Sequence, residues 1–204
     1  MIREIDYEKL YEMINVLITA LTVIFACFAN TFFIRSKLLS SLKTPIDNKK
    51  VLKDGKRLFG DNKTWKGVVG LLFFSVFFVV LLGLICDFAP AVRSHIIFYT
   101  KYKNTVPFNI LIGVLLALAY CIFELPNSFI KRRIGIEPGE KANKLVGVLF
   151  TIIDQVDSLF GCILVFSFLH PMSVSEYFIY VFCGGFIHIG LSFIFKAFKL
   201  RKGY

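Results

Sequence analysis

The chain has little charge: 19% of its 204 residues are Asp, Glu, Lys or Arg, against 56% apolar. A soluble domain usually lies nearer a quarter charged and half apolar, so a soluble enzyme and a disordered tail are both excluded. Its five cysteines (Cys27, Cys86, Cys121, Cys162 and Cys183) fall inside apolar stretches with no CxxC pair. They fit buried small hydrophobes and exclude a disulfide-stapled secreted domain. His95, His170 and His188 are too widely separated for metal-ligand spacing. No internal repeat is visible, which argues against two inverted transporter halves. Nor does the amino terminus resemble a signal peptide, since its flank from Arg3 to Glu12 is net acidic and no small-residue cleavage site follows.

What the chain does have is 24 phenylalanines and a mean hydropathy of +0.70. The charges collect in short blocks separated by runs of about 20 apolar residues, each able to cross ~30 Å of hydrocarbon. Five spans are expected, at 13–34, 67–86, 108–125, 145–169 and 177–198. Lipid offers no partner to backbone polar groups, so each span must be a helix. Ile2, Ile5 and Leu10 have near-helical spacing, which suggests a short interfacial helix over 2–12. The expected fold is an all-α integral membrane protein with one domain over 1–204 and two polar loops, 35–66 and 126–144. Those loops and the carboxyl terminus hold nineteen Lys and Arg, and the opposite side holds five. Positive charge stays inside, so the amino terminus should face out and the carboxyl terminus the cytoplasm. The net charge of +10 is thus a sign of topology, and no nucleic-acid partner is expected.

Three motifs fall on the cytoplasmic side of that topology. Pro45-Ile46-Asp47 is followed by the run from Asp54 to Gly67, DGKRLFGDNKTWKG. Gly55 and Gly60 let backbone approach a ligand, and Lys56, Arg57, Lys63 and Lys66 suit phosphates. A Walker A loop is excluded, because two residues separate Gly60 from Lys63 and no strand precedes them. A basic loop resting on anionic headgroups is the plain alternative, although headgroup attraction requires neither Gly nor Trp. The second motif sets Glu124 just before Asn127, Ser128 and the cations Lys131, Arg132 and Arg133. An ordinary positive flank explains the cations but not the acid. The third is Asp154-Gln155-Val156-Asp157-Ser158 inside a span, with both carboxylates on one helix face. Each acid costs about 2.5–3.5 kcal/mol at the centre of an inserting helix, so the pair needs a compensating partner. Mg²⁺ suits two hard oxygens at this spacing, and an ion pair with another helix is the alternative.

Taken together, Ala29-Asn30, Pro45-Ile46-Asp47, Asp54–Gly67, Ser128–Ile136 and Asp154–Asp157 resemble the CDP-archaeol synthase family, which is related to the phosphatidate cytidylyltransferases. The resemblance is colinear over residues 29–162. It implies a cell-membrane enzyme with its site facing the cytoplasm, transferring CMP from CTP to a lipid phosphate and releasing pyrophosphate in phospholipid synthesis. It also implies Mg²⁺ held by Glu124, Asp154 and Asp157. Lys63, Lys131 and Arg132 would clamp the triphosphate and lipid phosphate, forming the catalytic set with the two aspartates. Asn30, Asp47, Asp54, Gly55, Gly60, Asn62, Thr64 and Ser128 would contact substrates. The lipid phosphate is itself the nucleophile, already ionised at pH 7, so positioning and electrostatics would carry the catalysis. A small transporter or ion pathway using Asp154 and Asp157 is the alternative, one with no reason to bind CTP. A CDP-alcohol phosphotransferase is disfavoured, since Asp54-Gly55-Lys56-Arg57 lacks the continuation that signature requires. The generic apolar walls do not separate ether-linked isoprenoid from ester-linked acyl chains. The oligomeric state is equally open, a homodimer being one option.

Overall fold

A computed structural model describes residues 7–138 and 144–197. Five helices are long and apolar enough to cross a membrane: α1 (Tyr7–Arg35), α2 (Trp65–Phe88), α4 (Val106–Arg133), α5 (Lys144–Leu169) and α6 (Val174–Ala197). A single turn, α3 (Pro90–Arg93), lies between α2 and α4. In the bundle α4 packs between α2 and α5, α1 lies on α2, and α6 lies on α5 and reaches back to α1. Val16, Val79, Ile112, Leu116, Phe166 and Val181 form the centre, while Phe73, Phe77, Phe168 and Phe186 project outward. An apolar exterior of that kind has lipid as its solvent. At Gly161 of α5, an added Cβ would overlap the Ala119 carbonyl of α4. This close approach brings Asp154 and Asp157 alongside the last turns of α4.

The helix ends have local causes. Thr64 caps α2 by accepting from the Gly67 N–H at 3.2 Å. Ser173 and Glu176 form a capping box, with Ser173 N–H on Glu176 Oε2 at 2.7 Å and Glu176 N–H on Ser173 Oγ at 3.3 Å. The fifth span therefore begins at Val174 rather than 177, and position 198 lies outside the described residues. The sequence also suggests a separate interfacial helix over 2–12. Residues 7–12 are instead the first turns of α1, and residues 1–6 lie outside the description.

The largest difference is at the third span. Sequence places its end at 125 and gives 126–144 to a loop, but α4 continues through Pro126 to Arg133. Proline withholds one N–H from the Ile122 carbonyl, a loss that neighbouring contacts can offset. The helix stops at Gly135, whose φ of +84° only glycine adopts without strain. The Gly135 N–H bonds Arg132 O at 3.2 Å and the Ile136 N–H bonds Lys131 O at 2.9 Å, a Schellman closure. Lys131, Arg132 and Arg133 consequently project from a rigid helix.

The segment between α3 and α4 folds back into the bundle. Ile96, Ile97 and Phe98 are buried there, with the Phe98 ring 5.5 Å from that of Phe166. Thr19 Oγ1 accepts from the Ile97 N–H at 3.1 Å, and His95 Nδ1 lies 2.8 Å from Asn15 Oδ1. Tyr99 donates to Asn109 Oδ1 at 2.9 Å, and Asn109 donates to Asn104 Oδ1 at 2.8 Å.

Candidate active site

The loop between α1 and α2 is a folded body despite having no regular strand. Residues 50–58 form a tight hairpin, with Leu58 N–H on Lys50 O at 3.0 Å and Leu52 N–H on Lys56 O at 2.9 Å. Asp54 and Gly55 make its turn, where Asp54 Oδ1 accepts from the Lys56 N–H at 3.2 Å. The organiser is Asp47, whose side chain is fully buried. Its carboxylate accepts from Arg57 at 2.8 Å, Lys49 N–H at 3.0 Å, Phe59 N–H at 3.0 Å and Gly60 N–H at 3.2 Å. Burial alone would raise the Asp47 carboxyl, but the Arg57 bond and these backbone donors hold it below the usual carboxylate range.

The folded loop is pinned to the end of α4. Lys56 Nζ caps the helix by donating to the Arg133 carbonyl at 2.5 Å. Arg133 in turn bonds Asp54 and the Arg57 carbonyl, with its guanidinium 5.0 Å from the Phe129 ring centre. Gly60, at φ +112°, lies against Pro138 and Arg132 where a Cβ would collide. Arg132 is only 4% exposed.

Between loop and helices lies a cavity of about 1370 Å³. Its mouth is lined by Asn62, Lys63, Lys131, Arg132, Asp154 and Asp157, and its depth by Val23, Ile163 and Phe166. A polar opening over an apolar interior suits an amphiphile. Glu124 and Ser128 also face this space. Lys63 donates to Glu124 Oε2 at 2.6 Å. Burial works against the Lys63 ammonium, but the Glu124 charge and hydrogen bond outweigh it and raise the pKa above the ordinary lysine value. Two helical turns on, Lys131 Nζ lies 2.5 and 2.6 Å from the two oxygens of Asp154. Asn127, not singled out as a site residue from sequence, donates to Asp154 Oδ1 at 2.6 Å and to Asp157 Oδ2 at 2.7 Å.

Not every expected substrate contact faces the cavity. Asp47, Asp54, Gly55 and Gly60 do not line the cavity; they build and anchor the loop, because their polar atoms or their backbone conformation are committed within it. Thr64 lines the cavity, and its hydroxyl oxygen also accepts the α2 capping bond. Asn30 lines the cavity and joins α1 to α2 by donating to Gly67 O at 3.0 Å, while its buried Oδ1, against Gly70, has no hydrogen-bond partner among the described residues. Glu124 lines the same cavity as the aspartates, with its carboxylate bonded to Lys63. Among the described residues no three His, Cys, Asp or Glu side chains converge as a metal cluster. The oxygen donors that fit a divalent cation are Asp154 and Asp157 beside Asn127 Oδ1, which is buried and has no hydrogen-bond partner among the described residues.

Known proteins agree with this architecture. A solved structure of an intramembrane enzyme for archaeal membrane lipid biosynthesis superposes with a TM-score of 0.58 at 21% identity, covering 87% of this chain and 92% of the other. That likeness shows the fold. CDP-archaeol synthase of Archaeoglobus fulgidus is 28% identical over 93% of this chain and 98% of its own length. The synthase of Pyrococcus furiosus is 30% identical over 86% and 89%, respectively, and that of Thermococcus kodakarensis 30% over 88% of each. The family model for CarS-like CDP-archaeol synthases matches residues 13–203, nearly the whole chain, and this protein belongs to the CDP-archaeol synthase family.

Proposed function

We propose that this membrane enzyme transfers CMP from CTP to an archaeol-type lipid phosphate at the cavity mouth. Membership of its family makes it a CTP-dependent cytidylyltransferase producing a CDP-lipid. The transporter alternative has no support among its relatives. A lipid phosphate oxygen attacks the α-phosphorus of CTP. The bond to the bridging oxygen breaks and its electron pair leaves with pyrophosphate. Lys63, Lys131 and Arg132 hold the nucleotide and lipid phosphates together against their mutual repulsion. Asp154 and Asp157 would hold Mg²⁺, which when bound offsets charge on the phosphate oxygens. Glu124 is the resting partner of Lys63, while Asn62 and Ser128 remain as further contacts. The charged end faces the cytoplasm, with the amino terminus outside the cell membrane.

The observation that carries this reading is the cavity itself, with cations and acids at its mouth and an apolar interior behind them. The test incubates purified protein with radiolabelled CTP, Mg²⁺ and either archaeol-type phosphate or phosphatidate. A CDP-lipid from the ether-linked substrate is expected; product only from the acyl lipid would correct the lipid class, and none from either would end the assignment.

A further inference from the structure

Asn127 bridges the two acids of α5. It follows Pro126 within α4, is only 7% exposed, and meets both acids of α5 with one side chain. Its amide nitrogen has two hydrogens and spends both, at 2.6 Å on Asp154 and 2.7 Å on Asp157. Its oxygen, by contrast, has no hydrogen-bond partner among the described residues although it is buried. Here a neutral oxygen is kept beside two carboxylates.

Resting on the proposed cation site, we infer that Asn127 is its positioning residue. The two N–H bonds tie together carboxylates that would otherwise repel one another. This tie does not depend on Lys131, the other α4 group on Asp154. Lys131 can then turn to a phosphate without releasing the aspartates. Asparagine suits the position because it is neutral: aspartate would add a third negative charge, and lysine would compete with the cation. A partner of this sort, orienting metal-binding carboxylates, commonly matters by about 10- to 100-fold in affinity or rate.

The experiment measures Mn²⁺ binding by electron paramagnetic resonance on detergent-solubilised wild type, Asn127→Ala and Asn127→Gln, together with melting temperature, kcat and KM for CTP. In the glutamine variant the amide and its hydrogen-bonding capacity are kept, but moved outward by one methylene, so it preserves a folded protein should alanine not. Both variants that fold are expected to bind Mn²⁺ at least about tenfold more weakly than wild type. Their kcat should fall in step, with KM for CTP within about threefold, since the nucleotide cations are untouched. If either folded variant binds Mn²⁺ as wild type does and loses only thermal stability, Asn127 is helix-joining glue and the inference is overturned. If wild type itself binds no Mn²⁺, the cation site fails, whatever the variants do.

Discussion

Both ends of the bundle carry polar networks, but on different principles. Where the 89–105 segment tucks in, Tyr99, Asn109 and Asn104 pass hydrogen bonds from one neutral group to the next, ending on Gly83 O and Asp87. Each donor has an acceptor, and the result is a plug with nothing left over. At the charged end, Lys63 meets Glu124 and Lys131 meets Asp154, and these pairs line open space. Ion pairs that border a cavity can exchange partners when another anion or cation arrives, whereas a closed amide and hydroxyl chain cannot. The contrast separates polar groups that hold the fold from polar groups that can act.

Asp154→Asn should break the comparison most severely. It removes charge from the cation site and strands Lys131, so CMP transfer should fall by about 10²- to 10³-fold, measured with radiolabelled CTP. Melting temperature should also drop, because Lys131 loses its opposite charge. Near-normal activity per folded molecule would make the pair purely structural.

Lys63→Ala should come next. Losing one charge-assisted contact of about 1.5–3 kcal/mol weakens CTP binding by roughly ten- to hundredfold, readable by calorimetry with the fold intact. Unchanged CTP affinity would return the loop to a headgroup-binding role.

The loop gives a smaller effect that depends on pH. Because the Asp47 carboxyl is held below its ordinary value, its contribution is complete above the unfolded value. It is lost as pH falls through the folded one. Protease resistance of the α1–α2 loop should be flat from about pH 8 to 5 and decline only below about 4. Asp47→Asn should remove most of that acid-dependent decline.

Tyr99→Phe, at the opposite end, should cost only about 1 kcal/mol of stability, the worth of one neutral hydrogen bond. Transfer per folded molecule should be unchanged. A large loss of activity there would mean that the two networks are coupled.

Much of this architecture is legible in the sequence, and its failures have physical causes. The five spans stand out because lipid demands long apolar helices. The end of α4 is misplaced because Pro126 is a strong stop signal in water but a tolerated one in a packed bundle, whereas Gly135, nine residues later, closes the helix. Lys63, Lys131, Asp154 and Asp157 stand out because charge at a span's edge needs a reason, and all four line the cavity. Asp47 and Asp54 look like ligand contacts from sequence alone, since a loop carboxylate can face a substrate or its own backbone. Asn127 is harder still. An amide announces nothing until the helix opposite it is known.

The buried Lys66 carries one more consequence. Its ammonium donates to the Ser36 carbonyl at 2.8 Å, and Trp65 N–H donates to Thr44 O at 3.0 Å, so the α1–α2 excursion is tied at its neck. Chain closure is therefore already achieved before the interior of the loop is counted, and the entropy of added length grows only logarithmically, by ~0.6 kcal/mol per doubling. The exposed stretch 37–41 lies between that neck and the hairpin pinned on α4. Extra residues inserted there would lengthen the slack and leave both anchors seated, while exchanging the single nitrogen of Lys66 for a methyl group would release one of the two ties at the root of the excursion.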